Sequence, residues 1–378
     1  MRKARLLTLV VLYAIAIQMP VAPASAHGSS GLNPTSQETR ITSVTPQSSD
    51  FTIRPIGFGN RIEVRRTGNA TVYIPGYQNE PYLMITNDGV WRNDNSPSRW
   101  SNEDRLGLTP LPDSARVNAT PNWIKYSNLQ WVQWHDHRAH TMVDFEFVSS
   151  GDQPIETVAQ LPDGEVIQNF TIDIVVGQTP LVVSGQIVAL DSPEPSPIIW
   201  LVITTCIAIA ITSLVRFADR VGVAMGRTTR ALLAFLMLVL SLIHAFGIAR
   251  FGGNQLNTSV LSDWWQSSFY ALPGWIALAY ASVGLSLTTR PKPVFSYAFG
   301  LTSTLIYSGL LDLRVFSYAL LPNSLNPQVV QVLICGTIAI GIPLTIEAFR
   351  DVVNLSRQTL TPADQNAQSV HGINDAAT

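Results

Sequence analysis

Apolar and polar positions change their rhythm near residue 190. Before it, short β-branched and aromatic runs alternate with polar residues and stop at turn signals: RIEVRR from Arg61, ATVYIPGY from Ala70, PYLMIT from Pro81, MVDFEFV from Met142, NFTIDIVV from Asn169 and PLVVSGQIVAL from Pro180. A period of two sends successive side chains to opposite faces, which is the pattern of half-buried strands. The NDG after PYLMIT and the SG within PLVVSGQIVAL read as hairpin turns. No helical periodicity of comparable length competes. Closely spaced strands must cover each other's apolar faces, so the pattern predicts an all-β, sandwich-like domain over residues 27–190. Residues 27–50 read as an extended or mobile arm, and 92–122, rich in Pro, Ser and Asn, as a long loop.

After DSPEPSP, a stiff linker at 191–197, the rhythm gives way to continuous apolar runs at about 198–215, 231–249, 269–287, 294–311 and 327–346. Each approaches the roughly 20 residues that cross a bilayer, predicting an α-helical membrane domain of about five transmembrane helices over 198–349. The polar remainder, 350–378, reads as a disordered tail. At the other end MRKAR, LLTLVVLYAIAI and APASA form the charged, apolar and small-residue parts of a secretory signal peptide, 1–26. Cleavage after Ala26 makes His27 the mature N-terminus.

Export of the β domain and five spans place the tail in the cytoplasm. The positive-inside rule agrees, with Arg216, Arg220, Arg227 and Arg230 in the first inner loop, Arg290 and Lys292 in the second, and Arg350 and Arg357 after the last span. The expected location is therefore the plasma membrane, multi-pass, with the N-terminal domain extracytoplasmic, the C-terminus cytoplasmic and the lipid bilayer as a partner.

Composition narrows the function. With 46% hydrophobic and 13% charged residues and a net charge of -2, the chain suits neither a disordered protein nor a nucleic-acid binder. Residues 27–196 hold 11 Lys and Arg against 19 Asp and Glu, an acidic excess that raises local cation concentration. Both cysteines, Cys206 and Cys335, lie in apolar runs, so the exported domain folds without a disulfide.

The densest chemistry is WVQWHDHRAHTM, Trp131 to Met142, which holds three of the six histidines. If the strand continues through it, His135 and His137 share one face, with Trp134, Asp136 and Arg138 on the other. A bend near Ala139 would turn His140 and Met142 toward them. Imidazole nitrogens suit zinc, copper, nickel and iron, and an added thioether would shift the preference toward copper(I). Asp136 can pair with Arg138 on the back face or, like Asp144, orient a ligand histidine. His27 offers an amine and a ring, a bidentate copper(II) clamp. The candidate metal ligands are thus His135, His137, His140, Met142 and His27. The bland alternative is a set of exposed or structural strand histidines. In the apolar runs, Cys206, Cys335 and His244 fall at a similar depth, permitting a second, soft-metal site, although packed cysteines and a helix-capped or partnered histidine are the preferred reading.

The pattern EPYLMITNDGVWRNDNSPSRW…PNW…WHDHRAHTM, followed by strands and several spans, resembles a group of uncharacterised actinobacterial exported, membrane-anchored proteins with a W-H-D-H-R-x-H-W-M motif. Thr141 stands where that motif more often has Trp. The resemblance implies that these residues act as a unit; it carries no activity. A fainter architectural similarity, through the export signal, His27 and the β domain, is to periplasmic copper proteins of the copper-resistance type, whose sequence core this chain lacks.

Enzyme signatures are missing: no phosphate-binding Gly loop, no G-x-S-x-G and no H-E-x-x-H. The expectation is a membrane-anchored, extracytoplasmic protein binding copper or zinc in the cell envelope. Its rivals are an envelope interaction or assembly module that binds another envelope protein and, ranked last, a metal-dependent enzyme. Reporter fusions at 219–230 and after Arg350 should read as cytoplasmic; an exported tail would mean that the spans are miscounted.

Overall fold

Two antiparallel sheets and a bundle of apolar helices account for residues 34–104, 107–141, 161–191, 194–287 and 289–374, which the structure, a computed structural model, describes. The signal segment, His27, Met142 and the MVDFEFV run lie outside them.

The larger sheet holds seven strands in the order β1-β10-β9-β4-β5-β6-β7: β1 (Gln37–Thr45), β4 (Val72–Pro75), β5 (Pro81–Thr86), β6 (Gly89–Asn93), β7 (Trp123–Ser127), β9 (Val166–Val176) and β10 (Thr179–Ala189). The smaller contains β2 (Phe51–Ile56), β3 (Arg61–Arg66) and β8 (Trp131–Trp134), with β3 central. Alternation does what it should. Ile172 and Ile174 of β9, Leu181 and Val183 of β10, and Ile85 of β5 are buried against Ile62, Val64, Val132 and Trp134 of the smaller sheet. The sandwich-like β domain is therefore present.

Two expectations in this domain change. The segment read as an arm contains β1, which pairs with β10 along its length; its sequence, QETRITSVT, is too polar to announce a strand because it lies at the sheet edge and keeps much of its surface in solvent. The SG of β10 is no turn. Ser184 and Gly185 continue the strand, and the β9–β10 hairpin closes instead at Gly177, whose φ of 63° suits glycine. Gly185 lacks a side chain because Phe170, its partner on β9, occupies the space: a Cβ there would meet the ring at 2.2 Å.

Four helices are long and apolar enough to cross a membrane, five if one bent pair counts as a span. After a short helix α1 (Pro97–Ser101) in the β domain come α2 (Pro197–Val221), α3 (Val223–Leu256), α4 (Val260–Ser268), α5 (Leu272–Ser286), α6 (Val294–Tyr307) and α7 (Pro327–Asn374), with a 3-10 turn at Leu310–Phe316. The run expected as a span at 269–287 is α5 with the break before it, and it reaches membrane-spanning length only together with α4, to which it is bent by 84°. Pro273 opens α5, where its missing N–H costs no helical bond. Helix α7 extends past Arg350 to Asn374, where the sequence suggests a disordered tail. Arg227 and Arg230 have structural partners: Arg227 donates to the carbonyls of Gly284, Leu285, Leu287 and Arg290, capping α5, and Arg230 joins Asp219 to Glu347.

The two parts are tied together by specific contacts. Gln133 of β8 donates to the carbonyl of Gln255 (2.9 Å), Asn257 donates to Glu63 of β3 (2.8 Å), Gly57 N–H donates to the side chain of Gln255 (3.1 Å), and Phe58 stacks on Phe251. The end of α3 thus abuts the smaller sheet. Burial opposes charge on Glu63, but Arg54, Gln133 and Asn257 hold its carboxyl below the ordinary value.

Gly185→Val should displace the Phe170 ring and destabilise the β domain by about 1–3 kcal/mol, as overpacking does. Thermal unfolding of the purified chain checks this; an unchanged transition would show that Phe170 moves aside without cost.

Candidate metal centre

The strand hydrogen bonding that aligns β8 with β3 stops at the Ile62 and Trp134 pair. The chain then folds over rather than continuing extended. Ala139 N–H donates to Asp136 C=O (3.0 Å), and the Asp136 side chain accepts from Arg138 N–H (3.0 Å), drawing the segment into a tight turn. The expected strand through His137 is therefore absent. His135 and His137 meet because of the turn, and not because they share a pleat face.

Asp136 is the centre of this turn. It is fully buried, and beyond the Arg138 N–H it accepts from the Trp134 indole (2.9 Å) and from Nε and Nη2 of Arg138 (2.9 and 2.8 Å). Burial pushes its carboxyl up, but the paired guanidinium and the indole outweigh that and hold it below the usual aspartate value. The anticipated pairing of Asp136 with Arg138 is present. Arg138 lies over the Tyr77 ring at 4.9 Å, and the Tyr77 hydroxyl accepts from His137 N–H (3.0 Å) while donating to Asn102. Neighbouring strands hold the far side. Thr39 of β1 donates to Ala139 C=O (2.7 Å), and Gln168 of β9 to Arg138 C=O (3.2 Å). Gly59, with φ of 109°, permits this approach; a Cβ there would lie 1.9 Å from Thr39 Oγ1 and 2.9 Å from Ala139 O.

The turn brings three rings together. Centroids of His135 and His140 are 4.2 Å apart, His135 and His137 4.9 Å, and His137 and His140 5.2 Å. One nitrogen from each lies within 4.8 Å of the others, the single cluster of three potential metal-ligating side chains among the described residues. Nitrogens around a tetrahedral ion are about 3.3 Å apart, for metal bonds of about 2.0 Å, so no pair has to close by more than about 1.5 Å to hold one ion.

Each ring also faces a backbone carbonyl: His135 Nδ1 with Asn60 O (2.6 Å), His137 Nε2 with Ser101 O (2.8 Å) and His140 Nδ1 with Thr141 O (2.9 Å). A carbonyl only accepts, so each of those nitrogens carries a proton. In the neutral rings the lone pairs then fall on His135 Nε2, His137 Nδ1 and His140 Nε2. Carbonyls in this role fix the tautomer and raise the basicity of a metal ligand. The acceptors come from the residue just before β3, the end of α1 and the turn itself.

Sequence reasoning missed these supports. The long loop at 92–122 contains α1 and supplies Ser101 and Asn102; Glu80, accepting from Ser96 and Ser98, anchors it. Gly107, with φ of 67°, lies beside the His137 ring: a Cβ there would meet the ring at 3.4 Å. Nothing in the loop's periodicity announces this. Met142 and His27 lie outside the described residues.

Among the described residues Cys206, Cys335 and His244 form no soft-metal cluster, and His244 has the alternative role of a partnered histidine. Cys206 is exposed on α2, whereas Cys335 is buried and accepts from Thr204 (3.1 Å). His244 is buried on α3 and contacts Asp312 (2.9 Å) and Asn323. Similar depth did not supply a common direction around the bundle.

Comparison with family models, with characterised proteins and with solved structures yields no match. The assignment of function rests on the site itself.

Asp136→Ala would strand the Arg138 guanidinium and open the turn, costing about 3 kcal/mol or more. His135→Ala should cost much less, because the ring is only partly buried and takes no part in the Asp136–Arg138 pair. Because folding lowers the Asp136 pKa, its stabilisation is present above about 3.9, the unfolded value, and is lost as pH falls through the lower folded value. Unfolding of wild type and both variants across mildly to strongly acid pH tests this; equal losses for the two variants would refute it.

Proposed function

We propose that the protein is a membrane-anchored, extracytoplasmic metal-binding protein of the cell envelope, holding zinc or copper at His135, His137 and His140. The observation that carries the reading is the meeting of three imidazoles, each with one nitrogen committed to a backbone carbonyl. Three neutral nitrogen donors match zinc and copper(II), and leave a coordination position for water or another ligand. Contribution of Met142 would shift the preference toward copper(I). The apolar helices and the arginine distribution support an envelope location with the β domain outside. The W-H-D-H-R-x-H resemblance is consistent with a unit organised by Asp136, since that residue and Arg138 close the turn around the histidines.

Elemental analysis of the full chain in detergent should find about one equivalent of zinc or copper, and a His135→Ala/His137→Ala variant should lose it while remaining folded. Imidazole ordinarily titrates near 6.5, and protons compete with the ion, so uptake should fall steeply between about pH 6 and 5. A metal-free wild type that also takes up neither ion at neutral pH would transfer the histidines to a structural role and favour the interaction-module reading.

A further inference from the structure

A cleft of about 250 Å³ opens between the smaller sheet and the β6–β7 edge of the larger one, and His135 forms part of its wall. Three arginines from three elements line it: Arg61 from β3, Arg92 from β6 and Arg99 from α1. Their placement is held by local partners. Arg92 binds Asp94 (3.1 Å) and lies over the Tyr126 ring at 5.0 Å; Arg99 stacks on Trp100 at 4.0 Å and pairs with Asp94 and Glu103. Arg61 makes no ion pair among the described residues. Three guanidinium groups therefore face two carboxylates, and one of these, Glu103, is half in solvent, where its charge is screened. This positive cluster stands out in a domain whose overall excess is acidic.

We infer that the cleft binds a small oxyanion, with its carboxylate or phosphate-like group against the arginines. Guanidinium forks match such groups with paired, directional hydrogen bonds. Asn102, Tyr82 and Gln133 also line the wall, the amide donors of Gln133 being already committed to Glu63 and the Gln255 carbonyl. The volume suits a small ligand rather than a polymer. Of the three clustered rings, His135 lines the cleft. If that cluster holds a metal, which is the reading proposed above, the ion adds positive charge at the cleft's end and offers its open position to the same anion. Metal and anion should then strengthen each other's binding reciprocally.

The probes are sulfate and acetate, titrated calorimetrically into the full chain in detergent. Metal-free protein should bind sulfate weakly, and Arg61→Gln should weaken it about tenfold or more, with partial recovery in Arg61→Lys. Arg61 lies at a strand end without an ion partner, so these variants should fold; a matching thermal transition verifies it, and Arg92→Lys provides a second test of guanidinium geometry. Cobalt(II), whose visible spectrum reports its ligands, should tighten acetate binding about tenfold and change spectrum as acetate enters. No sulfate binding to metal-free protein, or binding indifferent to Arg61→Gln and Arg92→Lys, would overturn the inference. Failure to take up cobalt defeats the metal reading alone, because the metal-free sulfate titration still decides the cleft. Repeating that titration in nanodiscs with and without phosphatidylglycerol distinguishes a free anion from a lipid headgroup: competition by the lipid assigns the site to headgroups, its absence to free anions, and either result upholds oxyanion recognition.

Discussion

The histidine cluster depends on one buried charge pair. Asp136 would be costly to bury alone, and Arg138 nearly as costly; together, with the Trp134 indole and a backbone N–H, they leave neither carboxylate oxygen unmatched. The energetic value of such a pair over an apolar substitute is small or even negative. Its geometric value here is large. Four directional bonds fix the path of residues 134 to 139, and the rings on either side inherit their positions from that path.

The surroundings make the turn more than a local motif. Tyr77 presents its ring to Arg138 and its hydroxyl to His137, so one side chain reads both the charge pair and the backbone of a candidate ligand. Burial pushes the Tyr77 phenol well above its ordinary pKa, which keeps the hydroxyl protonated and able to donate to Asn102. Glu80 similarly draws α1 into place through Ser96 and Ser98, and the end of that helix supplies the carbonyl facing His137. The centre is consequently assembled from β1, β3, α1 and the turn after β8.

Much of this was legible in outline. The alternation of Arg61–Arg66 and Pro81–Thr86 identified real strands, and the change to continuous apolar sequence after residue 190 located the helices. The histidines were recognisable as a cluster because they are close in sequence. Their actual arrangement was not legible: Trp134 ends the strand through a buried interaction of Asp136, whose partner was visible but whose turn geometry was not. Periodicity also fails at β1, an edge strand with little need of an apolar face, and at Gly185, where a turn-like dipeptide is needed for the bulk of Phe170. In the helices, counting residues gave depth but not azimuth, so Cys206 faces outward while His244 turns toward Asp312.

The attachment of Gln133 and Glu63 to the end of α3 has a consequence for encounter. These two residues lie on adjacent strands, and β8 leads directly into the histidine turn. The β domain is therefore not a bead swinging on the Pro-rich tether at 191–197. Its rotational freedom is already restricted by contacts to a membrane-length helix. With those helices in a bilayer, a molecule moving in the same plane would meet a restricted aspect of the domain, so association would become a lateral search with part of the orientational entropy lost before contact.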